Sequence, residues 1–241
     1  MNFKRVCAAK SNYREIILGE RHPSIDFCKG KIAVLKKQSI YFVDLPGHTE
    51  FLIYCGSFGK LMNSSDILSN LDPNENFPEV LTLSDIETIF IKYVYNSINI
   101  NCYYTKSEIS VENIWRDCVT NNGARFISLY VAYHYYRSHG WVVRSGLRFG
   151  TDYLLYVASP EHSHASFSIN VKCFLNGNTL DHFTVEEMLD QARVSNAVSK
   201  TFICCKVQIN TQKDLTDISV LDDCAVEELQ ISRFDPNAEI L

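Results

Sequence analysis

Residues 133–170, YHYYRSHGWVVRSGLRFGTDYLLYVASPEHSHASFSIN, constrain this chain more than any other stretch. Phe126, Leu129, Tyr130, Tyr133 and Tyr136 recur at three- and four-residue spacing. That spacing predicts a helix over residues 122–139 with one aromatic face, and with Arg125, Ser128 and Arg137 off that face. Gly140 follows as its stop, because glycine enters the left-handed cap conformation without steric cost. Residues 141–144 and 147–157 then read as strands around a Ser145-Gly146 turn, the second rich in Phe, Tyr and Leu. A loop over residues 157–163 contains Pro160, and His164 opens a third strand over residues 165–174.

If the last two strands form an antiparallel hairpin, the end of one neighbours the start of the next, which sets Tyr156 beside His164. A phenol and an imidazole then share one site. In a nuclease without metal such a pair supplies general base and general acid, and a nearby cation holds the charge that builds on phosphorus. The candidate cation is Lys200, at the head of a strand expected over Thr201–Ile209.

The run Arg144-x-Gly146-x-Arg148-Phe149-Gly150-x-Asp152-Tyr153-x-x-Tyr156, followed by His164 and by Arg193-Val-Ser-Asn-Ala-Val-Ser-Lys200, resembles the tRNA-splicing endonuclease family. Within that family it is most similar to the eukaryotic catalytic subunit that cuts the 5′ splice site. A weaker likeness extends through residues 81–115 and the terminal Ile231-Ser-Arg-Phe234. The resemblance implies that Tyr156 takes the proton from the 2′-hydroxyl, His164 protonates the leaving 5′-oxygen, and Lys200 stabilises the phosphorane-like transition state. It implies 2′,3′-cyclic phosphate and 5′-hydroxyl ends, and no metal or other cofactor in the chemistry. A phenol is a weak base at neutral pH unless a cation favours the phenolate, a role open to Lys200, whereas imidazole serves as an acid without special tuning. His162, two residues from His164, is the rival acid, and the family pattern favours His164. Arg193 matches the family arginine that stacks on a flipped intron base across a subunit interface. Phe234 stands where relatives usually have tryptophan, a smaller platform with a weaker cation–π face. Arg144 and Arg148 suit phosphate contact and strand edge equally well.

Taken alone, Tyr156 is one of thirteen tyrosines, His164 a strand-edge histidine and Lys200 a surface lysine. Arg193 alone is a cation near a helix end, meeting the carboxyl dipole. Only the combination of residues carries the assignment.

Charge and composition limit the other classes. With 46% hydrophobic and 21% charged residues the chain is an ordinary globular protein, and its 241 residues suffice for one large domain or two small ones. No apolar run approaches the roughly 20 residues of a membrane helix. The amino terminus shows no apolar core of the signal-peptide type, so a reducing compartment is expected. Nine cysteines, with no CxxC spacing, fit buried thiols better than a disulfide framework or a zinc site. The net charge of −5 argues against a free-standing RNA binder. Residues 211–241 carry eight Asp or Glu against Lys213 and Arg233, so basic surface must come from a local patch or from partner subunits.

Toward the amino terminus, IILG, KIAVL, SIYFVDL and EFLIY read as short strands of a small sheet. Gly56-Ser-Phe-Gly-Lys60 lacks both the upstream glycine of a phosphate loop and the Ser or Thr that reaches magnesium, and is expected to be structural. Residues 72–78, with two prolines, form a loop. Ser84 with Glu87 makes a capping box, and Leu83, Ile86, Phe90, Tyr93 and Val94 form a helical stripe. A second helix is expected over residues 107–118, and a boundary near Asn121-Asn122-Gly123. Beyond the central stretch, Asn176-Gly177-Asn178 is a turn. Val185, Met188, Leu189 and Ala192 mark a helix, residues 211–224 a loop, and residues 225–234 a closing strand.

The expected fold is mixed α/β (α+β). A small amino-terminal domain of sheet and helices, residues 1–120, precedes a catalytic domain, residues 121–236, whose central mixed sheet is flanked by helices. The expected partners are intron-containing precursor tRNA and other splicing-endonuclease subunits in a hetero-oligomer, a heterotetramer by resemblance, and the expected location is the nucleus. A metal-dependent nuclease needs clustered carboxylates with a lysine, but the strand after the loop offers Asn170-Val-Lys172, leaving Asp152 alone. Within the family, a non-catalytic scaffold subunit and the subunit cutting the 3′ splice site remain the alternatives. The triad speaks against the first, and residues 150–156 with Arg193-Val-Ser lean away from the second.

Overall fold

The computed structural model describes residues 32–37, 40–43, 52–53, 56–62, 80–95, 98–181 and 184–231. The expected IILG strand, the loop over residues 72–78, and Phe234 lie outside these residues. The described residues divide into two compact units, one of Gly123–Leu215 and Ser219–Ile231, the other of those between Ile32 and Asn122 together with Thr216–Ile218.

The amino-terminal unit holds a sheet of β1 (Ile32–Lys37), β2 (Ile40–Val43), β3 (Lys60–Met62), β4 (Val80–Leu83) and β5 (Ile98–Cys102), in the order β3-β4-β2-β1-β5. β1 and β5 are parallel and the other pairs antiparallel. Two expected strands, KIAVL and SIYFVDL, are β1 and β2. EFLIY is not a strand where it is described: Leu52 and Ile53 are helical, and their carbonyls accept from Phe58 and Ser57. Its apolar run was too short for periodicity to separate strand from buried helix. Gly59 explains the Gly-Ser-Phe-Gly segment in structural terms, since it has φ 70° and a Cβ there would meet the Thr82 carbonyl oxygen at 2.6 Å. Its N–H donates to Glu87 Oε1 at 2.9 Å. Glu87 also closes the capping box of α1 (Asp85–Phe90), accepting from the Ser84 N–H, while the Ser84 hydroxyl accepts from the Glu87 N–H. The stripe continues into a π-helical turn, Ile91–Tyr95, where Tyr93 and Val94 are exposed rather than buried.

The expected helices over residues 107–118 and 122–139 are parts of α2 (Val111–Ser138). Its only non-helical residue is Gly123, with φ 61° and ψ −153°. Glycine reaches that conformation without a Cβ clash, and it marks a kink between two helical stretches.

The carboxy-terminal unit is built on β6 (Val142–Ser145), β7 (Tyr153–Tyr156), β8 (Ala165–Leu175), β10 (Thr201–Ile209) and β11 (Cys224–Ile231), in the order β11-β10-β8-β7-β6, with β9 (Asn178–Thr179) on β8. β8 and β10 are parallel; the other neighbours are antiparallel. The second half of α2 covers one face: Phe126, Tyr130, Tyr133 and Tyr136 are buried, Tyr153 donates its hydroxyl to the Leu129 carbonyl, and Cys173 reaches that of Ala124. α3 (Val185–Ala197), begun by a Thr184/Glu187 capping box, covers the other through Ala192 on Phe202 and Cys204 and through Ser195, which accepts from the Ser168 hydroxyl. Alternation along β10 separates the two coverings, with Phe202 and Cys204 facing one way and Cys205 the other. The architecture is the expected mixed α/β fold.

Two side chains expected off the aromatic face are buried. Ser128 donates to the Arg125 carbonyl, and Arg137 lies against Tyr133, donating from Nε to its hydroxyl at 3.0 Å. A buried arginine is tolerated because its aliphatic stem packs like a hydrophobe and its head finds an acceptor. Cys118, Cys173, Cys204 and Cys205 are buried free thiols, whereas Cys102 and Cys224 are only half-buried. Among the described residues, no helix is long and apolar enough to cross a membrane.

Candidate active site

One strand expected over residues 147–157 is interrupted. Leu147–Phe149 forms a 3-10 turn, and the strand is confined to β7. The glycines account for this: Gly150 caps the turn with φ 69°, and Gly146 packs so closely that a Cβ would meet Thr151 Oγ1 at 2.3 Å. The Gly146 N–H donates to the Asp152 carbonyl at 2.9 Å, closing the loop.

β7 and β8 form the expected antiparallel hairpin, but the register slips between Leu155 and Tyr156. Leu155 pairs with Phe167 and Tyr156 with Ala165, leaving Ser166 as the extra residue of a bulge. Tyr156 therefore stands opposite Ala165, with His164 the next residue outward. Bulges re-aim a side chain in this way beside functional sites. The connecting loop is closed on Ser159, whose carbonyl accepts from the His162 and Ser163 N–H groups and from the Ser163 hydroxyl. His162 and His164 are both exposed, and Tyr156 is half-buried.

Because β8 and β10 are parallel, with Thr201 opposite Phe167, their starts lie at one end of the sheet. The end of antiparallel β7 lies there too. Tyr156, His164 and Lys200 thus occupy neighbouring strand ends, spanning about 10 Å from β7 to β10 at the usual strand spacing. The chain reaches Lys200 from α3 through Ser199, at φ 56°, and the Lys200 N–H donates to the Ser195 carbonyl at 2.9 Å. Lys200 Nζ donates to the Val198 carbonyl at 3.2 Å and lies 4.7 Å from the centroid of the Phe149 ring.

Not every phenol of this unit suits proton transfer. Burial, then the neighbouring Cys205 and Glu228, pushes the Tyr136 hydroxyl well above tyrosine's ordinary value. It is a core residue, unlike the half-exposed Tyr156.

Asp152 has a structural occupation. Its carboxylate takes Arg125 Nη2 on one oxygen at 2.6 Å and the Val171 N–H on the other at 2.7 Å. Arg125 also donates to the Val171 carbonyl and lies 3.5 Å from Asp181, which accepts from the Cys173 N–H. This cluster ties β7 and β8 to α2 and had no signal in spacing, since Arg125 belonged to no motif. Arg193 lies on the exposed side of α3, paired with Asp190. It stands a turn before the helix end at Ala197.

The family of the tRNA intron endonuclease catalytic C-terminal domain matches residues 126–216, which hold β6 to β10 and all three strand-end side chains. Over 181 residues the chain is 31% identical to the tRNA-splicing endonuclease subunit Sen2 of Rattus norvegicus, covering 73% of this chain and 38% of that protein. Residues 126–216 are thereby identified as a catalytic domain of the tRNA intron endonuclease type. Two other relatives are similar: subunit SEN2 of Saccharomyces cerevisiae at 44% over 86 residues, 34% of this chain and 21% of that protein, and subunit Sen2-1 of Arabidopsis thaliana at 31% over 159 residues, 65% of each. The chain spans little more than a third of the length of the rat and mouse relatives, 38% and 35%.

Proposed function

We propose that this chain is a catalytic subunit of a tRNA-splicing endonuclease, cutting intron-containing precursor tRNA at the 5′ splice site. Tyr156 removes the 2′-hydroxyl proton as the 2′-oxygen attacks the adjacent phosphorus. His164 delivers a proton to the departing 5′-oxygen. Lys200 meets the negative charge that grows on the non-bridging oxygens. The P–O5′ bond breaks as the P–O2′ bond forms, leaving a 2′,3′-cyclic phosphate and a 5′-hydroxyl, so the chemistry needs no cofactor. In this reading residues 121–236 form the catalytic domain behind an amino-terminal domain of residues 1–120. Arg193 and Phe234 contact RNA, the subunit works in a hetero-oligomer with other endonuclease subunits, and the complex acts in the nucleus.

The observation that carries the reading is the convergence of three strand ends, β7, β8 and β10, on a phenol, an imidazole and an ammonium. The test is single-turnover cleavage of prefolded precursor tRNA by the reconstituted complex in EDTA, comparing wild type with His164→Ala. Loss of the 5′ cut by a factor on the order of 100 or more, with the 3′ cut intact, is the expected result. Survival of both cuts at the wild-type rate would overturn the triad and leave a scaffold subunit.

A further inference from the structure

We propose that Phe149 is a positioning residue for Lys200, its ring face holding the ammonium at the strand ends without neutralising it. The inference rests on the catalytic role proposed for Lys200 above. Among the described residues, the groups that hold Nζ are the Val198 carbonyl at 3.2 Å and the Phe149 ring at 4.7 Å. Neither carries formal charge. A carboxylate at that position would compete with phosphate for the ammonium, whereas the negative face of a ring attracts the cation and leaves its full charge for an incoming anion. A long, flexible lysine otherwise loses rotamer entropy when it is fixed in place. The ring reduces that cost before substrate arrives.

The placement of Phe149 is itself well determined. Its N–H donates to the Gly146 carbonyl at 2.8 Å within the 3-10 turn, which begins at one close-packed glycine and ends at a left-handed one. The same loop is closed from Gly146 to Asp152, and Asp152 is clamped by Arg125 of α2. The chain of contacts runs from helix to carboxylate to turn to ring to ammonium. It gives the Arg148-Phe149-Gly150 segment a function that its sequence did not disclose, because Phe149 and Lys200 are far apart in the chain.

The test replaces Phe149 with phenylalanine carrying one, two and three ring fluorines in the reconstituted complex. Fluorination drains the ring face while barely changing its size, so the variants keep their packing. Single-turnover cleavage of precursor tRNA at saturating complex is expected to slow stepwise, by roughly threefold to thirtyfold across the series, with half-saturation unchanged. Phe149→Trp should keep the wild-type rate. A flat series in a complex where Lys200→Ala abolishes cleavage overturns this inference and spares the triad. A change in half-saturation at constant rate also overturns it, by making the ring an RNA contact. Wild-type cleavage by Lys200→Ala removes both this inference and the catalytic role on which it rests.

Discussion

In the amino-terminal sheet β1 has β2 antiparallel on one side and β5 parallel on the other. In the carboxy-terminal sheet β8 has β7 antiparallel on one side and β10 parallel on the other. Each arrangement gathers the end of one strand and the starts of two more. In the first sheet these positions are Val43, Ile32 and Ile98; in the second they are Tyr156, His164 with Ala165, and Lys200 with Thr201. Val43 and Ile98 are buried in the one unit, whereas His164 is exposed in the other. Topology supplies a meeting place, and only the side chains make it a site.

The largest contrast follows directly. Ile98 is fully buried, so Ile98→Ala removes core volume and should cost about 2–5 kcal/mol of stability. His164 is exposed, and His164→Ala should stay within about 0.5 kcal/mol of wild type. Denaturant unfolding of the two variants makes the comparison. An equally large loss for His164→Ala would mean that the second strand-end cluster is core as well.

A smaller effect separates the carboxylate of the family motif from its catalytic neighbours. Asp152→Asn keeps one acceptor but turns an NH2 toward either Arg125 or the Val171 N–H, both of which need an acceptor. With both partners partly exposed, the expected loss is about 1–2 kcal/mol. Cleavage at a temperature where the variant is folded should persist. Abolished cleavage by a fully folded Asp152→Asn would bring that carboxylate into the chemistry.

These contrasts show what the sequence could disclose. Helix starts were legible where a hydroxyl and an acid stand three apart, as with Ser84 and Glu87, because capping is local. β10 was legible to the residue, since a β-branched and apolar run follows directly on a helix end. The three strand-end residues were legible through a motif whose members lie at strand boundaries. The short β3 and β4 were not, because three- and four-residue strands owe their existence to partners distant in sequence. The 3-10 turn was hidden for a related reason, since it depends on how Gly146 packs against Thr151, and the β7/β8 bulge is a shift of pairing register, which spacing does not encode either. Arg125 and Phe149 act through tertiary contacts with Asp152 and Lys200, and no local rule pairs them.

The two units also tie their loops with carboxylates, Glu87 in the first and Asp223 in the second. Glu87 accepts from Gly59 and Ser84, while Asp223 accepts from the Thr211 hydroxyl at 2.7 Å and lies 3.1 Å from Lys213 Nζ. The loop expected over residues 211–224 is tied by these contacts and contains a 3-10 turn over Ile218–Asp223. The Thr211 hydrogen bond, then Lys213, holds the Asp223 carboxyl below its ordinary value of 3.8. A depressed folded value means that the carboxylate's contribution is complete above the unfolded value and is lost as pH falls through the folded one. Wild type should therefore melt slightly above Asp223→Asn at neutral pH, by the smallest margin of the three comparisons. That margin should begin to shrink below about pH 4 and close at lower pH. Paired thermal melts across this range measure it, and a gap that holds constant or widens with acid would show that the Thr211–Asp223–Lys213 contacts do not stabilise the folded loop.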